Sequence, residues 1–576
     1  MIGTSSDSPV DTRDGFHDEH SDASGNWVRA RSSVAFEPAD GVRFLDFWVF
    51  CEFFDLSQTL SVTAGKSTAT VTLPRGWSPL SVEVPAGAGA AAFVANKILP
   101  PAHHPGDPRE LAVRLRGLHL HADRSRHERV LRRHRNMTTN LRDMLDGRIT
   151  MDSTPPTLGI DMYGVCNIKP ACVYCAWDSS KAAEGAFVDA PFTVETLGEW
   201  GPLFEHSTNL INCSIGEPFM MKNIDQLLDT FADGGKMLEL TTNGQILTEA
   251  NIRRLIGRPI NLYISLDAAT PDTYARLRNN RFDLLVANVR RLIEAKGGPG
   301  RLPVVNLVFM PMRANVHELD RFVELCADLR TDYLVLRPLN YAEESELNWD
   351  RAGYRFEYKK ELLPWEELVR ASGRAAELSA RAGVTLSDQM DFGGSFSAQF
   401  APLYEEGRQS ARAGTSEAAS GMTSANAAPA AAAAPAAANV TAAPTLGAEK
   451  LPACTEPWKS LYILRRGVFP CCYGGQPLAP MDKYRDALAS PLLQDIRRDL
   501  AQGKFHQYCV DSPACPIVRK SQASGDLESR LPWRKRVSAR VQRQWHRAVW
   551  AKQWSAIRLR RILREPGYVK KQLKRF

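Results

Sequence analysis

The chain of 576 residues has no run of about 18 apolar residues, so no part of it is expected to cross a membrane as a helix. Its N-terminus lacks the basic and apolar segments of a signal peptide. Residues 1–25 carry Asp7, Asp11, Asp14, Asp18, Glu19 and Asp22 instead, and read as a disordered acidic tail on a cytoplasmic protein. A regular disulfide framework is also missing. The 11 cysteines are odd in number and clustered, which favours metal binding over cross-linking. Acid is nearly absent from the end of the chain, where sixteen Lys and Arg between Arg530 and Phe576 face only Glu565. That stretch carries about +15, so the remainder of a chain of net charge +7 carries −8. Apolar residues make up 44%, enough for a sizeable core, and the length implies several domains.

Taken in order, residues 26–122 read as a β-sandwich-like accessory module. Short alternating runs such as Val42–Cys51, Leu60–Thr63, Ala69–Leu73 and Leu80–Val84 are separated by turn formers. The bland reading of this module is docking without chemistry. His103, His104, His119 and His121 lie close in sequence but form no closed metal-ligand set. Residues 123–152, rich in Arg and His, read as a basic helical connector with a solvated face.

Then come three cysteines within ten residues, Cys166, Cys172 and Cys175, just after the apolar run Leu158–Met162. Thiolates this close converge on one soft metal centre. A structural zinc site is closed by four ligands, whereas a 4Fe–4S cluster on three cysteines leaves one iron open. A zinc knuckle with a distant fourth ligand, or chance packing of thiols, fits the local spacing as well. From here strand and helix patterns alternate. Strands are expected at Leu158–Met162, Asn209–Ser214, Met237–Thr242, Asn261–Leu266, Val304–Met310 and 333–338. Helices are expected at 194–204, 224–232, 249–255, 282–295 and 316–329, so the strands run parallel with crossover helices. The fold class is α/β, and chemistry in such barrels sits after the carboxyl ends of the strands.

Further motifs lie at those ends, Ser214-Ile-Gly-Glu-Pro218, Leu240-Thr-Thr-Asn-Gly244 and Ile264-Ser-Leu-Asp267, with Arg276 and Arg278 behind. In this order they resemble the radical S-adenosylmethionine (radical SAM) superfamily, over roughly residues 155–340. The resemblance implies a partial (β/α)6 barrel over 153–345. It also implies a 4Fe–4S cluster on Cys166, Cys172 and Cys175 whose open iron takes the amino and carboxylate groups of S-adenosyl-L-methionine. Reductive cleavage would then yield a 5′-deoxyadenosyl radical that abstracts hydrogen from a substrate. On the same resemblance, Glu217 with Gly216 meets the cofactor's ammonium group, and Ser265 and Asp267 its ribose. Arg278 (or Arg276) meets its carboxylate, Tyr174 lies near the adenine, and Thr242 and Asn243 stand beside them. Two departures are visible. The cysteine spacing is Cys-x5-Cys-x2-Cys where x3 is usual, and Ile215 replaces the first Gly of the family's Gly-Gly-Glu-Pro. Arg337 faces the same side as a substrate contact, while Cys51, Cys213 and Cys326 read as core residues.

Residues 346–410 read as a helical extension and 411–450 as an Ala/Pro-rich linker, or an insertion looped out between docked domains. Cysteines return in Cys454-Thr-Glu-Pro-Trp458, Cys471-Cys472 and Cys509-Val-Asp-Ser-Pro-Ala-Cys515. Residues 451–520 resemble the SPASM extension of radical SAM enzymes, a small C-terminal iron–sulfur domain. This implies one auxiliary 4Fe–4S cluster on Cys454, Cys472 (or Cys471), Cys509 and Cys515; a zinc ribbon is the alternative. The final stretch, 521–576, reads as a basic Trp-rich amphipathic tail. Trp550, Trp554 and Ile557 share a helical face suited to an anionic membrane surface, which would place the protein peripherally at the inner membrane face. Docking on the protein's own acidic surface fits too, whereas nucleic acid lacks a recognised binding fold here. The expected substrate is a saccharide or cell-surface precursor. That choice rests partly on Gly106–Leu118, which resembles an accessory β-module found beside bacterial cell-surface glycan enzymes. The alternatives are a maturase acting on a peptide or protein side chain and a non-catalytic iron–sulfur scaffold or sensor. Radical chemistry also requires a one-electron donor such as flavodoxin or ferredoxin.

Overall fold

The computed structural model describes residues 12–17, 26–100, 109–175 (apart from 162 and 170), 194–229 (apart from 215), 235–337, 339, 348–389 (apart from 352) and 452–518 (apart from 513, 514 and 516). His103, His104, the linker 411–450, most of the acidic tail and the basic tail lie outside the described residues.

The N-terminal module consists of β1 (Thr12–Phe16), β2 (Asn26–Ala35), β3 (Arg43–Cys51), β4 (Thr59–Ala64), β5 (Ser67–Thr72), β6 (Gly76–Val84), β7 (Ala90–Ala95) and β8 (Val113–His121). All pairs are antiparallel, in the order β5-β4-β7-β2-β8-β3-β6 with β1 on β2. The expected pair of stacked sheets is instead one sheet that curls until β6 returns beside β4 and β5. Its alternating residues, among them Leu45, Phe47, Val49, Leu80 and Phe93, fill a core of their own.

The connector is a helix, Arg124–Leu145, begun by Asp123, whose carboxylate accepts from the amides of Ser125 and Arg126. It is less solvated than its composition suggests, since Arg133, His134, Asn136 and Asn140 are buried. Asp46 of β3 binds it to the sheet, accepting from Arg126 Nε at 2.9 Å while His121 Nε2 stands 2.9 Å away. His119 and His121 therefore serve this joint, and no metal-binding group forms there among the described residues.

The barrel follows. Strands β9 (Thr157–Ile160), β10 (Asn209–Asn212), β11 (Met237–Thr242), β12 (Ile260–Ser265), β13 (Val304–Phe309) and β14 (Tyr333–Leu336) are parallel and adjacent in chain order. The six strands and their amphipathic helices match the pattern in the sequence. The expected helix 194–204 is divided at Gly201, which sits at φ +53 between Val194–Glu199 and Pro202–Glu205. Of the extension, the described residues 348–389 are only partly helical. A hairpin of β15 (Asn348–Arg351) and β16 (Tyr354–Glu357) precedes the helix Trp365–Ala382, and β17 (Leu386–Asp388) then adds in parallel to β14.

At the other edge, β18 (Ser460–Leu464) pairs in parallel with β9 and β19 (Gly467–Phe469) pairs antiparallel with β18. The segment expected to open a separate domain is thus a wall of the barrel. Trp458, fully buried, joins it to the connector. Its indole donates to the Arg148 carbonyl at 2.8 Å, and its own carbonyl accepts from Asn140 Nδ2 at 2.9 Å. Arg497 donates to the carbonyls of Pro457 and Ile149 from beneath. Replacing Trp458 by Ala removes a large core side chain and leaves the Arg148 carbonyl unsatisfied. A loss of about 3–5 kcal/mol is expected in chemical denaturation. Arg374→Ala, at an exposed ion pair with Asp320, should leave the denaturation midpoint essentially where it is.

Candidate active site

The loop after β9 carries the three cysteines. Cys172 is buried, Cys166 and Cys175 half-buried. The Cys175 amide donates to the Cys172 carbonyl at 2.9 Å, forming a tight turn. The Val173 amide donates to the Leu277 carbonyl at 3.1 Å, which pins this turn to the end of the helix Pro271–Leu277. The lengthened part of the loop is packed. Ile168 is 2% exposed, and Asn167 Oδ1 accepts from Asn243 Nδ2 at 2.7 Å. The same Asn243 amide lies 3.7 Å from Cys166 Sγ.

Gly216 lies directly beneath this loop. A Cβ there would fall 2.6 Å from the Val165 carbonyl oxygen and 2.8 Å from that of Tyr163, so only glycine permits the approach. The Glu217 amide donates to the Val165 carbonyl at 2.8 Å. Its carboxylate is 1% exposed and accepts from Thr242 Oγ1 at 2.7 Å, the Asn243 amide at 2.8 Å and the Phe219 amide at 3.3 Å. Burial outweighs these donors and raises its pKa from 4.5 to about 7. The sequence-derived group Gly216, Glu217, Thr242, Asn243 and Cys166 is therefore contiguous in space.

A second group centres on Asp267, fully buried at φ +58, a left-handed conformation uncommon outside glycine. Oδ2 accepts from Tyr174 Oη and Arg278 Nη2, both at 2.7 Å, and Oδ1 from the Met310 amide at 2.9 Å. Arg278 Nη1 reaches Cys172 Sγ at 3.7 Å. Asp267 and Arg278, expected to meet the ribose and the carboxylate of the cofactor, are here engaged with each other. Burial and the neighbouring negative charge of Asp267 raise the Tyr174 hydroxyl well above the usual tyrosine range, and the Arg278 charge only partly opposes them. Ser265 is half-buried on the strand beside them. Asn315, which no motif indicated, donates to the carbonyls of Asp267 and Met310 and holds this corner. Ile215 and Pro170 lie outside the described residues.

In the C-terminal segment, Cys454, Cys471, Cys509 and Cys515 line one apolar pocket with Ile496 and Phe505. Cys472, the expected fourth ligand, is exposed and outside it, because neighbouring residues in a turn point apart. Burial holds the thiols of Cys454, Cys471 and Cys509 protonated, with Cys509 pushed up to about 12. A metal centre would reverse that, since thiolates are the form that ligates. Four thiols in a pocket with little else that is polar fit such a centre. Among the described residues neither thiol set is drawn in to the distances of a single ion. An iron–sulfur cluster spreads its cysteines over several corners, and the donor sets fit that larger group. Cys51 and Cys326 are buried in the core as expected, whereas Cys213 is half-buried against Gly159 and Tyr462.

A parallel partial barrel with three thiols on its first loop and a buried Glu beneath them defines a cofactor-dependent class of enzyme. Residues 160–326 match the family model of the radical SAM superfamily. This segment is a radical SAM domain, and its cofactors are a 4Fe–4S cluster and S-adenosyl-L-methionine. Among solved structures, Streptococcus suis SuiB bound to S-adenosylmethionine is similar at 14% identity, covering 67% of this chain and 74% of that one, with a TM-score of 0.39. A tagged form of anSMEcpe with bound AdoMet is similar at 11% identity over 67% of this chain and 95% of that one, with a TM-score of 0.40. A radical SAM methyltransferase from Sphaerobacter thermophilus shares 16% identity over 40% and 65%, with a TM-score of 0.29.

The raised Glu217 pKa has a consequence for stability. A carboxyl whose folded pKa lies above its unfolded value contributes stability below pH 4.5 that is lost as pH rises to about 7. The cofactor-free protein should therefore lose up to about 3 kcal/mol over that window through this group. Glu217→Gln keeps the shape and an acceptor for the Asn243 amide and should remove that part of the slope, which melting curves taken across the range would show.

Proposed function

We propose that this chain is a radical SAM enzyme with one auxiliary iron–sulfur cluster, acting on a saccharide or cell-surface precursor. Cys166, Cys172 and Cys175 would hold the barrel cluster, which when bound and reduced would supply the electron for reductive cleavage of S-adenosyl-L-methionine and so the radical chemistry for hydrogen abstraction. The observation that carries this reading is the contact of Cys166, Asn243 and Glu217 beneath a loop that only Gly216 could seat. A scaffold has no use for a buried carboxylate beside three thiols.

In this reading Cys166, Cys172 and Cys175 hold the cluster, and Glu217 receives the ammonium group of the cofactor. That cation offsets the cost of keeping the carboxylate charged where it is buried. Ser265 is placed for the ribose. Arg278 takes a role other than the one first expected, with its guanidinium donating to the Cys172 sulfur while Asp267 and Tyr174 keep it in place. Asp267 then acts as a brace of the pocket wall. Cys454, Cys471, Cys509 and Cys515 hold the auxiliary cluster, with Cys471 taking the position first given to Cys472.

Two measurements test this. Purified without oxygen and reconstituted with iron and sulfide, the protein should form 5′-deoxyadenosine from S-adenosyl-L-methionine and a strong reductant, and Cys172→Ala should form none. Absence of product from wild type holding its full iron, with glycosides and peptides both supplied, would overturn the reading in favour of the scaffold. The affinity for S-adenosyl-L-methionine, read by calorimetry, should fall about fivefold from pH 7 to pH 6 as Glu217 takes up its proton. In Glu217→Gln it should be weak and flat with pH.

A further inference from the structure

The barrel lumen has a second end. A cavity of about 470 Å³ opens at the amino ends of the strands, in the size range of small-molecule sites. Its floor comes from the N-terminal sheet, with Trp48, Trp77 and Arg116, and its walls from the barrel, with Asn209, Glu239, Asn261 and Tyr263. The interior of a closed parallel barrel is ordinarily filled with branched apolar side chains. Here it presents amides, a phenol and a carboxylate.

Glu239 is the informative residue. It is half-buried and accepts one hydrogen bond, from Asn209 Nδ2 at 3.0 Å, with no ion pair among the described residues. Burial raises its pKa. Asn306 Nδ2 donates to Asn261 Oδ1 at 2.7 Å, and Asn261 Nδ2 to Tyr263 Oη at 3.0 Å, so these amides form an oriented row. From the N-terminal sheet the Arg116 guanidinium stands over Trp77, 4.0 Å from the ring centroid, as a further donor in the lining. The cavity and the candidate active site share strands. Asn261, Tyr263 and Ser265 share one face of β12, and residues two apart on a strand are separated by about 7 Å. Arg337 lies over Tyr263 at 4.3 Å, between the cavity and the carboxyl end.

We infer that this cavity is a saccharide site, walled on one side by the N-terminal module and lying at the amino ends of the same strands whose carboxyl ends carry the candidate active site. An aromatic wall takes the apolar face of a pyranose, while amides, a carboxylate and a guanidinium take its hydroxyl groups. A peptide that binds by strand addition finds no free edge in the wall of this cavity. Strands β9 to β14 are each paired on both sides. The inference deepens the proposed function and rests on it only for what becomes of the sugar once bound.

Binding is therefore measured apart from turnover. The full chain, reconstituted with iron and sulfide and given no reductant, is titrated with methyl β-glucoside, methyl β-galactoside and methyl N-acetyl-β-glucosaminide. Saturation-transfer NMR is the readout, and a Gly-Ser-Ala-Thr tetrapeptide is the comparison. Transfer to at least one glycoside is expected. The loss in Glu239→Gln should be roughly tenfold or more in affinity, as for one hydrogen bond to a charged group. Trp48→Ala should abolish the signal, and a melting temperature within a few degrees of wild type would exclude unfolding as the cause. Glu239→Gln keeps the shape and the Asn209 bond, so it carries the test if Trp48→Ala does not fold. No transfer to any glycoside, transfer unchanged in Glu239→Gln, or transfer to the peptide alone would each overturn the site. Failure to form 5′-deoxyadenosine would leave the binding result standing, and loss of binding would leave the radical chemistry standing.

Discussion

The structure around the site depends on one buried carboxylate. Glu217 is reached by a backbone amide and a hydroxyl from the end of β11 and by an amide of its own turn, while its own amide is tied to the cysteine loop. Three loops that are distant in sequence are thereby fixed at a single point. A charge in such a place is costly, and three donors leave the cost only partly offset. Glu217 is thus a group whose charged form a bound cation would stabilise. Gly216 lies beside Glu217 because any larger residue would separate the loops that the carboxylate draws together.

A second buried charge pair has the opposite character. Asp267 and Arg278 satisfy one another, with Tyr174 and the Met310 amide completing the set. Breaking such a pair on one side is expensive, whereas the intact pair adds rigidity and orientation more than net stability. It lies against Cys172, so what it orients is a prospective ligand sulfur. One group is open to a partner and the other is closed, and the cysteine loop is held between them.

Much of this was legible in the residues. The strand Met237–Thr242 and the helices Glu249–Leu255 and Phe282–Ala295 follow directly from apolar periodicity. Gly216 and Glu217 could be assigned to one turn from the motif alone. What could not be read were pairings between distant strands. Nothing local in Leu386–Asp388 or Ser460–Leu464 shows that each extends the same sheet from opposite edges. The engagement of Asp267 with Arg278, and the choice of Cys471 over Cys472, depend on where two side chains point, which spacing leaves open. One signal was present and unused. Parallel strands covered on both faces usually read as continuous apolar runs, yet Asn209, Glu239, Asn261 and Tyr263 interrupt theirs at alternate positions.

The placement of β17 and β18 has one more consequence. The chain leaves the sheet at Asp388 on one edge and re-enters it at Ser460 on the other, so the backbone between them is not what joins the two parts. The ladder from β18 to β9 and the contacts of Trp458 with the connector helix do that. The C-terminal segment is thus fastened to the edge of the sheet opposite the one the chain departs from, and it is the first strand of the barrel, not the last, that holds it there.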